Sequence, residues 1–431
     1  MDTIFALSSG QPPSAIAVIR ISGSQTASAL SALARALPQP RRASLRRLYD
    51  PQSGEELDQA LVLWFPGPAS ATGEDLAELH LHGGRAVVAA IETALGNVKG
   101  LRPATAGEFT QRALMNGRID LTQAEGLGEL LSAETEAARR AAVHASEGGI
   151  RKKVEQWNDR LLNVSASVEA ELDHSDEEDV AAVIGSGLSY RRDCIALAEE
   201  LERALASPSV ERLNEGIRIV LAGPPNSGKS SLINAMTGRD VAIVSAIAGT
   251  TRDRIEMAVT RRGYSYILTD TAGLATKTDD PIEAIGIERA RQALDAADAI
   301  LWLGDENPDI ASDASIILIH ARCDEPERDA TPDDRTPVSS KTGAGLSVLW
   351  EKIEELASRH IPAESAVFFN ERQRRLITEW KNRLEAAAQE EDLLLVGEQL
   401  RLARSLCDQI TGRAGVEAML GDIFARFCIG K

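Results

Sequence analysis

The nine residues "GPPNSGKSS" at 223 to 231 constrain this chain more than any other stretch. They fit G-x-x-x-x-G-K-S, follow the apolar run "IRIVLA" and precede "LINAMTG", which is the strand, loop and helix start that a phosphate-binding loop requires. Gly223 and Gly228 let backbone N–H groups wrap phosphate oxygens. Lys229 supplies a cation to the β and γ oxygens, and Ser230 is a magnesium ligand candidate. Such a loop belongs to a sheet covered by helices on both faces. From Ile217 to about Arg359 the apolar runs "IRIVLAG", "YSYILTD", "AILWLG" and "ASIILIH" alternate with helical segments, the rhythm of a parallel sheet.

Two further elements follow at suitable distances. In "DTAG", Asp270 ends a strand candidate and can hold Mg²⁺ through water while the Gly273 N–H meets a γ-phosphate; in "AGTTRD", Thr251 completes the metal shell. The candidate nucleotide-binding set is Asn226, Ser227, Gly228, Lys229, Ser230 and Ser231 in the loop, with Asp270, Thr271, Ala272 and Gly273. Ser245, Ala246, Ile247, Ala248, Gly249, Thr250 and Thr251 join it from the "SAIAGTT" segment. The order of elements resembles the translation-factor-like GTPases, where N-K-x-D reads guanine and S-A-K closes over it. Here "ARCD" stands at 321 to 324 and Ser339, Ser340 and Lys341 occupy the closing segment. Asp324 keeps the acceptor pair for guanine N1–H and its exocyclic amine. Ala321 and Arg322 replace Asn and Lys, so one hydrogen bond to the base is lost and the stacking stem changes. GTP remains the favoured nucleotide, bound less tightly or less selectively. Leu274 stands where many GTPases carry the Gln that orients water, and Glu283 in "DDPIEAIGIERA" is the carboxylate candidate for that task. Taken alone, Glu283 reads as a solvated charge at a helix start.

Outside this region, "SAIAVIRISG", "DQALVLWFPG" and the alternating "EDLAELHLHGG" read as strands. Thr122 and Glu125 have capping-box spacing ahead of a long helical stretch, and Val154, Trp157, Leu161, Val164, Val168 and Leu172 mark one side of an amphipathic helix. Helical patterning returns from about Asn370, so the α/β unit looks inserted between two helical segments. The net charge of -18 opposes strong nonspecific polyanion binding by the whole surface, although "PRRASLRR", "RKK" at Arg151 and "ERQRR" are local basic stretches. Four scattered cysteines without C-x-x-C spacing argue against a disulfide framework or zinc site and suit a reducing cytoplasm. No apolar run approaches the roughly 20 residues of a membrane span. Glu78, His80 and His82 share a strand face without a further matched ligand, and "DHSDEED" lacks the spacing of a calcium loop.

The chain resembles the MnmE (TrmE) family of tRNA-modification GTPases. The likeness runs through "DTIFALSSG", "AVIRISG", "TGEDLAELHLHGG", "AGEFTQRALMNGRIDLTQAEG", the phosphate loop, "AGTTRD", "DTAGL", "IGIERA" and the terminal "FCIGK". It implies a multidomain α/β plus all-α architecture. An N-terminal α+β dimerisation and tetrahydrofolate-binding domain (1–118) precedes a helical domain built from two segments (119–212 and 361–431), with an inserted P-loop GTPase domain (213–360). By motif matching it assigns Arg20, Glu78, Arg118 and Lys431 to folate, and Asn226, Ser245, Ile247 and Thr250 to K⁺. It gives Ser230 and Thr251 to Mg²⁺ and makes Glu283 the catalytic carboxylate. Arg118 stands where Lys is frequent, keeping the charge but changing its reach. The resemblance further implies a cytoplasmic homodimer that is no membrane protein. With the FAD- and NADH-using partner MnmG it would form a heterotetramer acting on tRNA, installing an aminomethyl or carboxymethylaminomethyl group at C5 of the wobble uridine (position 34) from 5,10-methylenetetrahydrofolate. Its rivals are a ribosome-assembly GTPase of the Era or Der kind and a nucleotide-insensitive scaffold.

The end of the chain mimics a C-a-a-X lipidation signal at Cys428, but Gly430 is not aliphatic and Lys431 is not a usual terminal residue. Phe427 and Ile429 read instead as packing residues, with Cys428 a structural thiol and Lys431 one wall of the folate pocket.

Overall fold

The computed structural model describes residues 2–173, 188–238, 242–245, 256–262, 264–271, 291–308, 314–328, 330–360, 367–414, 421, 424, 427 and 429–430. The chain divides into two units, 1–128 with 145–159 and 401–431, and 129–144 with 160–400.

In the first unit the period-two runs become a six-stranded sheet. Its strands are β1 (Thr3–Leu7), β2 (Ile16–Ser22), β3 (Ser44–Tyr49), β4 (Glu56–Phe65), β5 (Leu76–His82) and β6 (Leu101–Pro103). They lie in the order β3-β4-β5-β2-β1-β6. Only the β1–β6 pair is parallel. In β5 the expected alternation holds: Ala77, Leu79 and Leu81 are buried, Glu78 and His80 half-buried, and His82 exposed. Helices α1 (Thr26–Ala34) and α2 (Arg85–Gly96) add Leu30, Leu33, Ile91 and Leu95 to the core around Ile19, Ile21 and Trp64. Burying such side chains stabilises the unit by roughly 1.5–3 kcal/mol each before ordering costs.

One feature of this unit has no hydrophobic signature. On α3 (Glu108–Met115), Glu108 accepts from Arg102 Nη2 at 2.6 Å and from Arg112 Nη2 at 3.0 Å, and Arg112 Nη1 reaches Glu74 at 3.0 Å. Burial alone would raise the Glu108 carboxyl, but Arg102, the Thr105 N–H and Arg112 overcome it and hold its pKa at about 2. A carboxyl depressed on folding contributes stability above its ordinary value of 4.5, and that stability is lost as pH falls towards about 2. Protection of α3 amides from exchange is expected to weaken by roughly 2 kcal/mol between about pH 6 and pH 3. Glu108→Gln should flatten that profile; an equally steep one would contradict the assignment.

Helix α4 (Leu121–Ser132) corrects the capping prediction. Asp120 Oδ1 accepts from Gln123 N at 2.9 Å and Gln123 Oε1 accepts from Asp120 N at 3.1 Å. The box is thus Asp120–Gln123, because Asp caps as well as Thr and Leu121 is already helical. Thr122 instead donates its hydroxyl to Asp120 at 2.7 Å.

The C-terminus packs in part as expected. Phe427 is buried with Phe424 and Ala124, Ser8 Oγ donates to Gly430 O at 2.8 Å, and Ile429 bridges Ala106. Ile429 contributes this pairing through its backbone, and its side chain is 63% exposed, contrary to the packing role expected for it. A side chain at Gly430, where φ is +93°, would stand 2.2 Å from Leu7 O, so this close approach requires glycine.

Helical structure continues through α5 (Glu136–Ser146), α6 (Gly149–Asp173), α7 (Leu188–Leu205) and α8 (Val210–Glu215). The α6 stripe is as read from its spacing: Val154, Trp157, Leu161, Val164 and Val168 are buried, and Leu172 is half-buried. The second unit holds β7 (Ile217–Ala222), α9 (Lys229–Met236), β8 (Ala242–Ser245), β9 (Glu256–Arg261), β10 (Tyr264–Asp270), β11 (Ala299–Trp302), β12 (Ser315–Ala321), β13 (Thr336–Val338) and α10 (Leu346–His360). The strands are ordered β13-β12-β11-β7-β10-β9-β8. Five are parallel as expected, whereas β9 and β8 form an antiparallel edge. Two residues join β9 to β10, too few for the crossover a parallel pair needs. Asn370 and Gln373 form a reciprocal capping box that starts α11 (Glu371–Gln389), and α12 (Leu393–Thr411) follows. Helix α11 lies along α7, where Lys381 meets Glu202 at 2.6 Å and Arg191 donates to Glu390 O at 3.0 Å. Burial pushes the Cys194 and Cys407 thiols up to about 12, which makes both inert at neutral pH.

Candidate functional site

The sequence forces the chain out of β7 and into a loop whose backbone only particular residues tolerate. Gly223 has φ +145° and Gly228 has φ +99°, both in the region that favours glycine. A Cβ on Gly223 would also press to 3.2 Å of the Leu303 and Gly304 backbone. Asn226 takes φ +59°, a conformation Asn accepts more readily than most residues. Gly228 caps α9, so the first N–H groups of that helix open onto the loop.

Lys229 is 6% exposed, and its ammonium donates to Gly223 O at 3.1 Å and Pro224 O at 2.9 Å. Desolvation lowers its pKa, and the Asp270 carboxylate opposes that effect. An anionic phosphate in the loop would favour the charged ammonium further. Asp270, 5% exposed, ends β10 beside β7 and accepts the Ser230 hydroxyl at Oδ2, while its buried Oδ1 has no hydrogen-bond partner among the described residues. Thr271 donates its hydroxyl to Leu221 O at 2.6 Å, fixing the strand end. A buried orphan carboxylate oxygen next to a serine hydroxyl is a hard oxygen donor pair, which suits Mg²⁺.

The candidate base-reading end lies at the C-terminal ends of β12 and β13. Ser339 Oγ accepts from Lys341 N at 3.2 Å and Thr342 N at 3.1 Å, shaping the closing turn. The Ser339 hydroxyl, aided by Lys341, also holds the Asp324 carboxyl below its ordinary value, so Asp324 is an acceptor throughout the neutral range. A cavity of about 580 Å³ is lined by Ser227, Gly228, Asp324, Ser340 and Lys341, joining the two halves of the candidate site. Sequence reasoning missed one contact: Arg322, at φ +60°, donates from its guanidinium to the Asn226 carbonyl. The departure from N-K-x-D thus keeps a cation that ties the base loop to the phosphate loop. Only the Arg-for-Lys exchange signalled it, and the sequence carries no mark of the carbonyl it reaches.

In the first unit, Arg20 and Glu78 face each other across β2 and β5 at 2.9 Å, and Glu78 also meets His80 Nε2 at 3.2 Å. Both partners retain some exposure, as a surface site for an anionic or hydrogen-bonding ligand would. Arg118 is exposed, with its Cγ 3.2 Å from where a Cβ on Gly73 would lie. Ser245 ends β8. Ala246, Ile247, Ala248, Gly249, Thr250, Thr251, Ala272, Gly273, Glu283, Cys428, Lys431 and most of "DHSDEED" lie outside the described residues.

Comparison with known proteins bears on the whole length. The family described as the GTP-binding protein TrmE N-terminus matches residues 3–118, and the one described as the MnmE helical domain matches 121–428. The protein named tRNA modification GTPase MnmE from Rhizorhabdus wittichii is 50% identical over 432 residues, covering 100% of this chain and 97% of its own. Its namesakes from Erythrobacter litoralis and Zymomonas mobilis are 51% and 48% identical, with full coverage of both chains. Among solved structures, the G domain of the T. maritima FeoB iron transporter is 28% identical over 33% of this chain and 98% of its own, with a TM-score of 0.27.

Proposed function

Because this chain belongs to the MnmE (TrmE) family of tRNA modification GTPases, we propose that it couples GTP hydrolysis to modification of C5 of the wobble uridine of tRNA, together with MnmG. The observation that carries the nucleotide part is the buried Lys229 and Asp270, with the Ser230 hydroxyl on the Asp270 carboxylate, beside a cavity that Asp324 helps to line. The likeness over the full chain favours this reading over an Era- or Der-like one, and the intact cluster favours it over a scaffold.

Within this reading, residues 213–360 form the GTPase domain, 119–212 and 361–431 the helical domain, and 1–118 the folate-binding and dimerising domain. Loop amides 226 to 231 and Lys229 bind and orient the phosphates, and Asp324 reads the guanine amine and N1–H. Ser230 and Thr251 would hold Mg²⁺, and Asn226, Ser245, Ile247 and Thr250 would hold K⁺; bound together, these ions supply positive charge to the transferring phosphoryl group. Glu283 orients the attacking water and takes its proton, in place of the missing Gln. Arg20, Glu78, Arg118 and Lys431 would hold 5,10-methylenetetrahydrofolate, which supplies the one-carbon unit. The half-exposed Arg20–Glu78 pair fits a ligand with both an acidic tail and a donor-bearing ring.

Titration with fluorescent GTP and ATP analogues tests the nucleotide assignment. GTP is expected to bind and ATP not to compete; equal affinities, or none, would contradict it. Ala321→Asn restores a base contact worth about one neutral hydrogen bond, so GTP affinity should rise roughly 2–10-fold with ATP unaffected. An unchanged GTP affinity would show that the base gains nothing from that position.

A further inference from the structure

Between Asp2 and Asp50 the chain has no carboxylate and six arginines, in a protein of net charge -18. Five of them, Arg35, Arg41, Arg42, Arg46 and Arg47, fall on β3 and the segment leading into it. Strand β3 is an edge of the six-stranded sheet. Arg35, Arg41, Arg42 and Arg47 are exposed and Arg46 is half-buried.

Several of these guanidinium groups are held in place. Arg35 lies 3.7 Å over the Tyr49 ring, and Arg41 is 5.7 Å from the Phe65 ring while donating to Ala69 O. Arg46 Nε is buried and finds no hydrogen-bond partner among the described residues. The nearby acids do little to neutralise the patch. Asp58 is engaged by His82 through its backbone N–H at 2.9 Å and ring nitrogen at 2.7 Å. Asp50 Oδ1 accepts from Gln52 N and Ser53 N. Glu56 meets Arg47 at 3.3 Å, with both side chains open to solvent and screened by salt.

We propose that this arginine-lined edge, from Arg35 through Arg47, is a contact surface for the phosphate backbone of RNA. The proposal rests on the reading that the protein acts on tRNA. Long-range repulsion keeps a polyanion away from an acidic surface, so a local strip without carboxylates is where it can approach. Arginine forks match phosphate oxygens in two-point contacts, and stacked guanidiniums lose little freedom when they bind. From Arg42 to Arg47 the extended chain spans roughly 17 Å, enough to follow several phosphates.

The test is fluorescence anisotropy of a labelled tRNA transcript with the full-length protein, at 50 to 200 mM KCl. The variants are Arg42→Glu/Arg47→Glu, the milder Arg42→Gln/Arg47→Gln, and the control Arg192→Glu, whose site is exposed outside the patch. Both doubles should weaken tRNA binding, and the slope of log affinity against log salt should shrink by roughly 1.5–2 as two phosphate contacts go. The control should bind as the unaltered protein does, and melting curves of the Gln double should coincide with it. Unchanged affinity and slope in the doubles would overturn the proposal. So would equal weakening by the control, or doubles that self-associate while binding tRNA normally, which would make the arginines guards of a sheet edge. Loss of binding to anionic phosphatidylserine vesicles, with tRNA binding intact, would overturn it too. Analysis of cellular tRNA nucleosides is a separate readout, so failure of the modification reading and failure of this surface are told apart.

Discussion

Lys229→Ala is expected to lower kcat for GTP hydrolysis by on the order of 10²–10³-fold, the cost of removing one preorganised charge from a developing phosphoryl transition state. The side chain is buried, and it fills the centre of the loop by donating to two carbonyls of that loop. A desolvated ammonium interacts with phosphate far more strongly than an exposed one. Lys229→Arg should fail as well, because a planar fork does not replace a compact ammonium inside a tight loop. Hydrolysis assays alongside GTP binding and thermal melting separate lost chemistry from lost folding. Near-normal hydrolysis by a folded Lys229→Ala protein would contradict the assignment of the site.

Glu283→Ala is expected to lower kcat by roughly 10²–10⁴-fold, the range for loss of a positioned acid–base group, while GTP affinity changes little. Residue 274 is Leu, so the usual Gln is not there to substitute. Hydrolysis should also be faster in K⁺ than in Na⁺, since no arginine finger is assigned and charge must come from elsewhere. A fully active Glu283→Ala, or equal rates in both salts, would sink this part of the account.

The phosphate loop was legible because its chemistry demands a fixed spacing of glycine, lysine and serine between a strand and a helix, and each flank carried its own periodicity. Strand β5 and helix α6 were legible for the same reason: one buried face repeats every two residues in the first and every three or four in the second. Four features escaped. The Asp120–Gln123 cap lies two residues from Thr122–Glu125 because both pairs satisfy the same spacing rule, and only the backbone decides which residue precedes the first turn. The antiparallel β8–β9 edge has no composition distinct from a parallel strand. In the Glu108–Arg112–Glu74 network the Glu108–Arg112 pair is local, but the Arg112–Glu74 link joins residues distant in sequence, and charged residues there look like ordinary surface. The Arg322–Asn226 contact belongs with these, since its acceptor is a backbone carbonyl that no side-chain pattern reports. What long-range pairing alone determines, periodicity does not carry.

The most direct measurement of the central claim is mass spectrometry of wobble-uridine nucleosides in tRNA from cells lacking this gene, complemented with the unaltered or the Lys229→Ala protein. Loss of the C5 aminomethyl or carboxymethylaminomethyl group on deletion, restored by the unaltered protein and not by Lys229→Ala, is the expected result. Unchanged C5 modification in the deletion strain would contradict it.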